Sequence, residues 1–263
     1  MNEQQRIHLP IGFMDSGLGG LSVLREAMKI MPAEDFIYFG DSANAPYGTK
    51  PRDEIRRLTF EVVEYLLSRG IKGLAVACNT ATGAAVRDLR NMYPELPIVG
   101  IEPAVKPAVL GSNGGRILVL ATPMTIELQK FRTLLEKYKN QAEIISVPCK
   151  GLMEFVENGD LEGEDLSEYF ELNIAPYLTD DTEGIVLGCT HYPFLKKHLE
   201  YFLKDRKIPL YDGSYGTAAE LKRRITVAGL LRSEERMGTV EILNSLPDAA
   251  KIELSHKLLN LPF

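Results

Sequence analysis

Two of the three cysteines stand in closely matched sequence contexts. Cys78 lies within residues 74–80 and Cys189 within residues 185–191; in each segment an apolar run precedes the cysteine and small polar residues follow it. An ordinary cysteine has a pKa of about 8.5, so a modest lowering by a helix N-terminus or a nearby histidine would supply a thiolate base at neutral pH. Two thiols across one pocket could exchange the roles of base and acid. The pair therefore predicts proton transfer on opposite faces of an α-carbon.

Two further residues could assist the thiols. His191 stands two positions after Cys189 and could shuttle or stabilise its proton. Asp15 would lie beside Cys78 if the strands that precede these two residues are neighbours in a sheet. We therefore predict a catalytic set of Cys78, Cys189, His191 and Asp15.

Purely structural interpretations exist for the same residue types. A lone buried cysteine usually packs as a small hydrophobe, and this is our interpretation of Cys149, which follows Pro148 without polar companions. For His191 taken alone, the default would be a surface or capping histidine. The matched contexts of Cys78 and Cys189 favour chemistry over packing for those two cysteines.

The glycine-rich segment of residues 15–20 could be a tight turn or a cradle for phosphate. It departs from the G-x-G-x-x-G pattern, and the chain has no Walker motif, so we predict no nucleotide cofactor. The sequence also lacks C-x-x-C and paired histidines, which are common spacings of zinc ligands. We therefore predict that no metal ion is needed.

Alternating strands and helices must position these residues. Short β-branched runs alternate with stretches of helical spacing, which favours parallel sheets built from βαβ units. In such sheets ligands bind beyond the carboxyl ends of strands, where Asp15, Cys78 and Cys189 fall, each next to a helix N-terminus that favours anions. The predicted strands are 11–14, 36–39, 73–77, 98–100, 117–121, 143–147, 184–187, 210–211 and 240–243. The predicted helices include 21–31, 51–68, 123–139 and 248–259, and residues 112–115 are the best candidate for a linker.

The composition is that of an ordinary globular protein. The 263 residues include 30 lysines and arginines against 36 aspartates and glutamates, a net charge of −6. No overall basic field is present to recruit nucleic acid, so we predict no nucleic-acid partner. No apolar run reaches the roughly 18 residues of a membrane span, and the polar N-terminus lacks signal-peptide features. We therefore expect no membrane association, a cytoplasmic location and reduced cysteines.

Four short motifs occur together in this chain. They are Asp-Ser-Gly-Leu-Gly-Gly-Leu from Asp15, Gly40-Asp41 with Pro46-Tyr47-Gly48, Ala-Cys-Asn-Thr-Ala from Ala77, and Leu-Gly-Cys-Thr-His-Tyr-Pro from Leu187. In this order they resemble the bacterial glutamate racemases of the aspartate/glutamate racemase superfamily, from about Ile11 to Leu231. The resemblance implies two pseudo-symmetric α/β domains facing one cleft, with no pyridoxal phosphate, metal or nucleotide. It also implies domains of residues 1–102 with 212–263 and of residues 103–211.

The same resemblance assigns roles residue by residue. Cys78 and Cys189 are the acid/base pair, with Cys78 acting on the D-isomer and Cys189 on the L-isomer. The family's assisting glutamate falls at Glu157, in a segment that lacks the prolines expected there. The residues that contact substrate or tune the thiols are Asp15, Ser16, Pro46, Tyr47, Gly48, Asn79, Thr80, Thr125, Thr190 and His191.

The implied function is the interconversion of L- and D-glutamate without a cofactor, which supplies D-glutamate for peptidoglycan. Because the family is often dimeric, a homodimer is considered as well.

Three alternatives to this function stay open. One is a racemase of the superfamily for another amino acid, such as aspartate. Another is a cysteine hydrolase with Cys189 as nucleophile and His191 as base, which leaves Cys78 without a role. The last is a two-domain protein that binds glutamate without turnover.

Overall fold

The computed structural model describes residues 3–204 and 206–261, which form nine strands and twelve α-helices. The strands are β1 (Ile11–Asp15), β2 (Phe36–Gly40), β3 (Gly73–Val76), β4 (Ile98–Gly100), β5 (Arg116–Ala121), β6 (Glu143–Pro148), β7 (Thr182–Leu187), β8 (Leu210–Asp212) and β9 (Val240–Asn244). The helices are α1 (Glu3–Ile7), α2 (Leu21–Ile30), α3 (Arg52–Ser68), α4 (Asn79–Met92), α5 (Val105–Leu110), α6 (Pro123–Glu127), α7 (Gln129–Glu136), α8 (Leu152–Asn158), α9 (Glu164–Asn173), α10 (Lys196–Leu203), α11 (Ser214–Val227) and α12 (Ala249–Leu259).

The strands form two sheets in which each strand runs parallel to its neighbours. The first sheet has the order β4-β3-β1-β2-β9, and the second has the order β6-β5-β7-β8. Helices flank both sheets, as crossover connections between parallel strands require. The predicted α/β architecture of two parallel sheets is confirmed, and all nine predicted strands are present to within two residues at either end.

The central strands are buried along nearly their whole length. Every residue of β1 and of β3 is buried, and both sequences are nearly continuous apolar runs, as expected for parallel strands covered on both faces. In the second sheet β5 and β7 have the same character. Ionisable side chains come at the carboxyl ends, where Asp15 is the last residue of β1 and where Cys78 and Cys189 lie two residues beyond β3 and β7. The fold therefore delivers these three side chains to the edges that face each other.

Apolar side chains from both halves of the molecule share one buried cluster. It includes Leu18 and Leu21 from the first half together with Leu118, Leu187 and Tyr192 from the second. Separate clusters fill the outer side of each sheet. The longest of the described helices, α3, has 17 residues, and no described helix is both long and apolar enough to cross a membrane.

The C-terminal part of the chain returns to the first sheet. β9 pairs with β2 in parallel register, from Val240 opposite Phe36 to Asn244 opposite Gly40. α11 packs against α2, β3 and β4, and α12 packs against α2 and β9. Segments before and after the second sheet thus build the first half together. The domain limits at 102/103 and 211/212 stay a prediction.

The expected helix over residues 123–139 was wrong, because two helices occupy this stretch. Leu128, between α6 and α7, has an extended backbone with a ψ of 133°. Its side chain packs against Gly83 of α4 so closely that a Cβ atom on Gly83 would collide with it. The tertiary contact therefore overrides the helical spacing of the local sequence.

The interpretation of residues 112–115 as the linker was also wrong. The helix before them, α5, packs against β5, β7 and β8, so it already belongs to the second half. The backbone N–H groups of Asn113 and Gly115 donate to Oε2 of Glu183 at 2.6 and 3.1 Å, and Gly114 has a φ of +98°. This segment is a tight glycine turn inside the second half, and the chain crosses between the halves before α5.

Candidate active site

The carboxyl ends of β1 and β7 meet across the two halves. Oδ2 of Asp15 accepts a hydrogen bond from the Gly17 N–H at 3.0 Å, and Oδ1 accepts one from the Thr190 hydroxyl at 3.2 Å. The Ser22 hydroxyl donates to the Thr190 carbonyl at 3.0 Å. Asp15 is fully buried, and burial raises its pKa. The predicted neighbourhood of Asp15 and Cys78 is also present, because β1 and β3 pair in parallel.

Cys78 caps the N-terminus of α4. Its Sγ accepts from the Ala81 N–H at 3.4 Å and lies 3.6 Å from the Ser16 hydroxyl. These contacts favour a thiolate, but burial and then the Asp15 carboxylate oppose it more strongly and raise the pKa of Cys78 to about 12. The expectation of a lowered pKa was therefore wrong for this cysteine. Among the weaker causes is the charge of Cys189, which acts on Cys78 across the site.

Cys189 has a different environment. The expected helix N-terminus directly after it is absent: a short 3₁₀ turn (Tyr192–Leu195) intervenes, and α10 begins only at Lys196. Its Sγ instead lies 3.6 Å from Nδ1 of His191. A turn at this point keeps the histidine two residues away in sequence within reach of the sulfur. The two sulfurs thus have different neighbours: the N-terminus of α4 lies at Cys78, and the imidazole of His191 lies at Cys189.

His191 connects Cys189 to Glu157. Nε2 of the buried ring lies 2.8 Å from Oε1 of Glu157, and Nδ1 faces the sulfur. Burial lowers the pKa of His191, but its hydrogen bonds to Cys189 and Glu157 outweigh burial and hold that pKa well above the usual range. Burial also disfavours the charged form of Glu157 and so raises its pKa, but His191, Lys251 and the Leu18 N–H together lower that pKa to about 2. The His191 ring therefore lies between the Cys189 sulfur and the Glu157 carboxylate, and these two contacts favour its protonated form.

The glycine-rich loop after β1 packs directly on this ion pair. The Leu18 N–H donates to Oε1 of Glu157 at 2.7 Å. A Cβ atom on Gly17 would lie 2.9 Å from Cδ of Glu157, and one on Gly19 would lie 2.6 Å from the Thr190 hydroxyl and would collide with His191. The loop is therefore a close-approach turn, and its glycines leave room for the side chains of Glu157, Thr190 and His191.

Other residues named from the motifs lie around the same site. The hydroxyls of Thr80, Thr122 and Thr125 form a triangle with sides of 2.9 to 3.2 Å that joins α4 to α6. The buried Tyr47 donates to Oδ2 of Asp41 at 2.7 Å, and burial followed by that carboxylate raises its pKa. The residues that flank Tyr47 are Pro46, which follows a cis peptide bond, and Gly48, where a Cβ atom would lie 2.7 Å from Cβ of Thr122.

Comparison with known proteins identifies the family. A model of the Asp/Glu/Hydantoin racemases matches residues 11–221. The chain belongs to this family. A glutamate racemase from Clostridium acetobutylicum is 51% identical to it over 252 residues, covering 96% of this chain and 98% of the relative. The resemblance seen in the motifs is therefore confirmed.

Solved structures of glutamate racemases share the fold. An isoform from Bacillus anthracis has a TM-score of 0.86 at 28% identity, covering 97% of this chain and 96% of the other. The enzyme from Francisella tularensis, solved in complex with D-glutamate, has a TM-score of 0.84 at 26% identity, covering 98% and 96%. These likenesses cover nearly the whole chain and therefore extend over both halves of the molecule.

Three polar residues of this racemase-family site escaped sequence reasoning. Thr122 precedes Pro123 and caps α6, a pattern typical of a helix start that could have drawn attention to it. Asp41 belongs to the Gly40-Asp41 motif but was assigned no role, and its carboxylate accepts the hydrogen bond from the Tyr47 hydroxyl. Lys251, which contacts Glu157, gave no local signal because the contact joins α12 to α8.

Cys149 lies apart from this hydrogen-bonded network. It is buried, its Sγ donates to the Val147 carbonyl at 3.5 Å, and burial raises its pKa to about 12. Its backbone carbonyl accepts from the Tyr192 hydroxyl at 3.2 Å. These contacts are those of a packed core residue. Within residues 3–204 and 206–261, no group of three or more His, Cys, Asp and Glu side chains is arranged to hold a metal ion.

Proposed function

We propose that the chain is a glutamate racemase that moves protons between two cysteines. The observation that carries the proposal is the placement of Cys78 and Cys189: both are buried, each follows a central strand, and Asp15 and Thr190 join the two ends. Family membership and the activity of the relatives support the same reaction and substrate.

In the direction from L- to D-glutamate, Cys189 takes the α-proton as a thiolate, and Cys78 gives its S–H proton to the opposite face. The electron pair of the broken C–H bond stays on the α-carbon and its carboxylate until the new C–H bond uses it. Cys78 ends as a thiolate and Cys189 as a thiol, so the reverse direction starts with exchanged roles. The raised pKa of Cys78 suits a proton donor, and Nδ1 of His191 lies 3.6 Å from the Cys189 sulfur, where it can exchange a proton with it.

The surrounding polar groups match the charges of glutamate. Oδ1 of Asn79 is buried and has no hydrogen-bond partner among the described residues, so it can accept from the substrate ammonium. The hydroxyls of Thr80 and Thr125 can donate to a carboxylate. Hydroxyl and backbone donors near the cysteines would offset the negative charge that grows on the α-carboxylate in the transition state. The proposed contacts are those named from the motifs: Asp15, Ser16, Pro46, Tyr47, Gly48, Asn79, Thr80, Thr125, Thr190 and His191.

Exchange in heavy water tests the proposal. The protein is incubated with L- or D-glutamate in deuterium oxide, while the α-proton is followed by NMR and the enantiomers are separated by chiral chromatography. Deuterium should appear at the α-carbon, and both isomers should reach equal amounts because they have equal free energy in water. Aspartate is the parallel substrate. Faster turnover of aspartate would contradict the substrate assignment, and exchange of neither amino acid would contradict a racemase.

A second candidate, a cysteine hydrolase, is favoured by one feature of the geometry. Cys189, His191 and Glu157 are aligned as a nucleophile, a base and an orienting carboxylate, at 3.6 and 2.8 Å. A hydrolase should tolerate the loss of Cys78, whereas the two-thiol reaction requires it. Hydrolysis of an amide or ester by Cys78→Ala at the wild-type rate would favour this candidate.

The wider role follows from the reaction. We infer that the product D-glutamate supplies peptidoglycan synthesis, as the family resemblance implies. The homodimer and the cytoplasmic location expected from the sequence also stay predictions. Sedimentation equilibrium tests the dimer, and fractionation of cells tests the location.

A further inference from the structure

A lysine from the C-terminal helix reaches into the active site. Nζ of Lys251, in α12, donates to the backbone carbonyl of Glu157 at 2.6 Å and to its Oε2 at 2.9 Å. The Lys251 side chain is only 20% exposed and that of Glu157 only 10%, so water screens this ion pair weakly. Because α12 packs on α2 and β9, the contact ties a helix of the first half to α8 of the second.

Lys251 completes the set of donors around Glu157. Oε1 accepts from the Leu18 N–H at 2.7 Å and lies 2.8 Å from Nε2 of His191, whereas Oε2 accepts from Lys251. Each oxygen of this carboxylate thus has a donor. Without Lys251, Oε2 would lose the one charged partner that it has among the described residues, in a buried place, which favours rotation or protonation of the carboxyl group.

Glu157 in turn sets the position of His191. With Nε2 bound to the carboxylate, the ring presents Nδ1 to Sγ of Cys189 at 3.6 Å. The contacts of Cys78 lie elsewhere, at Ser16 and Ala81. The chain of contacts from Lys251 therefore ends at one of the two sulfurs.

We propose that Lys251 is a positioning residue for the half of the reaction that uses Cys189. Through Glu157 and His191, its ammonium group holds the imidazole where it exchanges a proton with that sulfur. The inference rests on the proposed racemase function and assigns a task in it to the docked C-terminal helix.

The test compares Lys251→Met with Lys251→Arg and with the matched control Lys257→Met. Lys257 is an exposed lysine of the same helix. The Met variant should lower kcat/KM for glutamate by roughly 10- to 100-fold, the scale of one charge-assisted hydrogen bond, and the Arg variant should recover part of that loss. Lys257→Met should match the wild type. Lys251→Gln, which keeps a donor but lacks the charge, replaces the Met variant if the latter does not fold.

Isotope effects separate positioning from general damage. Because the enantiomers have equal free energy in water, kcat/KM must fall equally in both directions. The α-deuterium effect on kcat/KM should nevertheless rise for the isomer deprotonated by Cys189 and fall for the other, since only the Cys189 step becomes slower. Equal effects on both isomers, as in a partly unfolded protein, would overturn the inference.

The pH profile gives a second readout. The ionisable groups that face Glu157 are Asp15, Tyr38, His191 and Lys251. Loss of the ammonium group raises the pKa of Glu157, so the acidic limb of kcat should move to higher pH in Lys251→Met and stay in place in Lys257→Met. If Lys251→Met equals the control in rate, isotope effect and pH profile, the inference fails. Inactivity of the wild type would instead contradict the racemase function.

Discussion

At Cys78, burial and the Asp15 carboxylate both disfavour the thiolate, and the resulting pKa of about 12 keeps a proton on this sulfur. At His191, burial acts against charge in the same way, but the hydrogen bonds to Cys189 and Glu157 outweigh burial and raise the pKa of the ring. The neighbouring charges are negative at both sites, so they raise both pKa values: they disfavour the anionic thiolate of Cys78 and favour the cationic imidazolium of His191.

Loss of either cysteine should abolish racemisation in both directions. Every turnover needs one sulfur to remove a proton and the other to return one, so Cys78→Ala and Cys189→Ala each eliminate one of the two steps. Serine at either position should leave only trace activity, because an alcohol is a far poorer base than a thiol. Cys149→Ala is the control and should keep its activity per folded molecule. Substantial racemisation by either alanine variant, measured by chiral chromatography, would rule out the two-thiol mechanism.

His191 and Asp15 should show opposite isotope signatures if each mainly serves one thiol. His191→Asn breaks the contact with Cys189, and Asp15→Asn removes the carboxylate that acts on Cys78. Each change should lower kcat by on the order of 10²–10⁴-fold, the usual contribution of a positioned proton-transfer group. The α-deuterium effect on kcat/KM should rise for L-glutamate in His191→Asn and for D-glutamate in Asp15→Asn. The hydrogen bond between Asp15 and Thr190 also links Asp15 to the Cys189 loop, and unchanged isotope effects would mean that both residues only shape the pocket.

At the scale of elements, parallel strands made the site predictable from the sequence. Apolar runs ending in Asp15, Cys78 and Cys189 identified β1, β3 and β7, and strand ends in parallel sheets face a common edge. Contacts between distant elements were not predictable in this way. The break at Leu128 depends on Gly83 of another helix, and the contact of Lys251 with Glu157 joins α12 to α8.

The helix α5 was not predicted from the sequence because it contains a proline. Pro107 stands in its first turn, however, where no backbone hydrogen-bond donor is lost.

The loop between β1 and α2 lies so close to Thr190 and His191 that a side chain on Gly19 should disturb them. In Gly19→Ala the new methyl group would meet the Thr190 hydroxyl at 2.6 Å and collide with the His191 ring. Overpacking of this kind costs about 1–3 kcal/mol of unfolding free energy, and displacement of the ring should lower kcat at least roughly tenfold. The matched control is Gly216→Ala in α11, where, apart from its chain neighbours and the nearby backbone of its own helix, no atom lies within 4 Å of the new methyl group. It should be neutral or slightly stabilising, as alanine is in helices; equal denaturation curves and rates for the two variants would contradict the argument.

At the scale of the whole molecule, several of the polar contacts that join the two halves lie at the candidate active site. Asp15 to Thr190, Leu18 to Glu157 and the triangle around Thr80 each connect the first half to the second. Groups that we propose to bind and transform the substrate thus also connect the two halves. Conditions that change the charge of these groups should therefore change stability along with activity.

The ion pair at Glu157 predicts how stability depends on pH. Its folded-state pKa of about 2 lies below the ordinary 4.5, so its contribution is complete above about pH 4.5 and is lost as the pH falls toward 2. At about 1.4 kcal/mol per pKa unit, the contribution is on the order of 3 kcal/mol.

Urea denaturation of the wild type and of Glu157→Gln should show the largest difference in unfolding free energy at pH 5 and above, shrinking by pH 3. The raised pKa of Asp15 has the opposite sign, and both Asp15 and His191 are coupled to Glu157, so the difference reports on Glu157 together with its interactions with these two groups. Glu154→Gln, an exposed carboxylate of the same helix, should change the unfolding free energy by less than about 0.5 kcal/mol. A constant difference between wild type and Glu157→Gln from pH 7 to pH 3 would show that Glu157 does not stabilise the molecule through its charge.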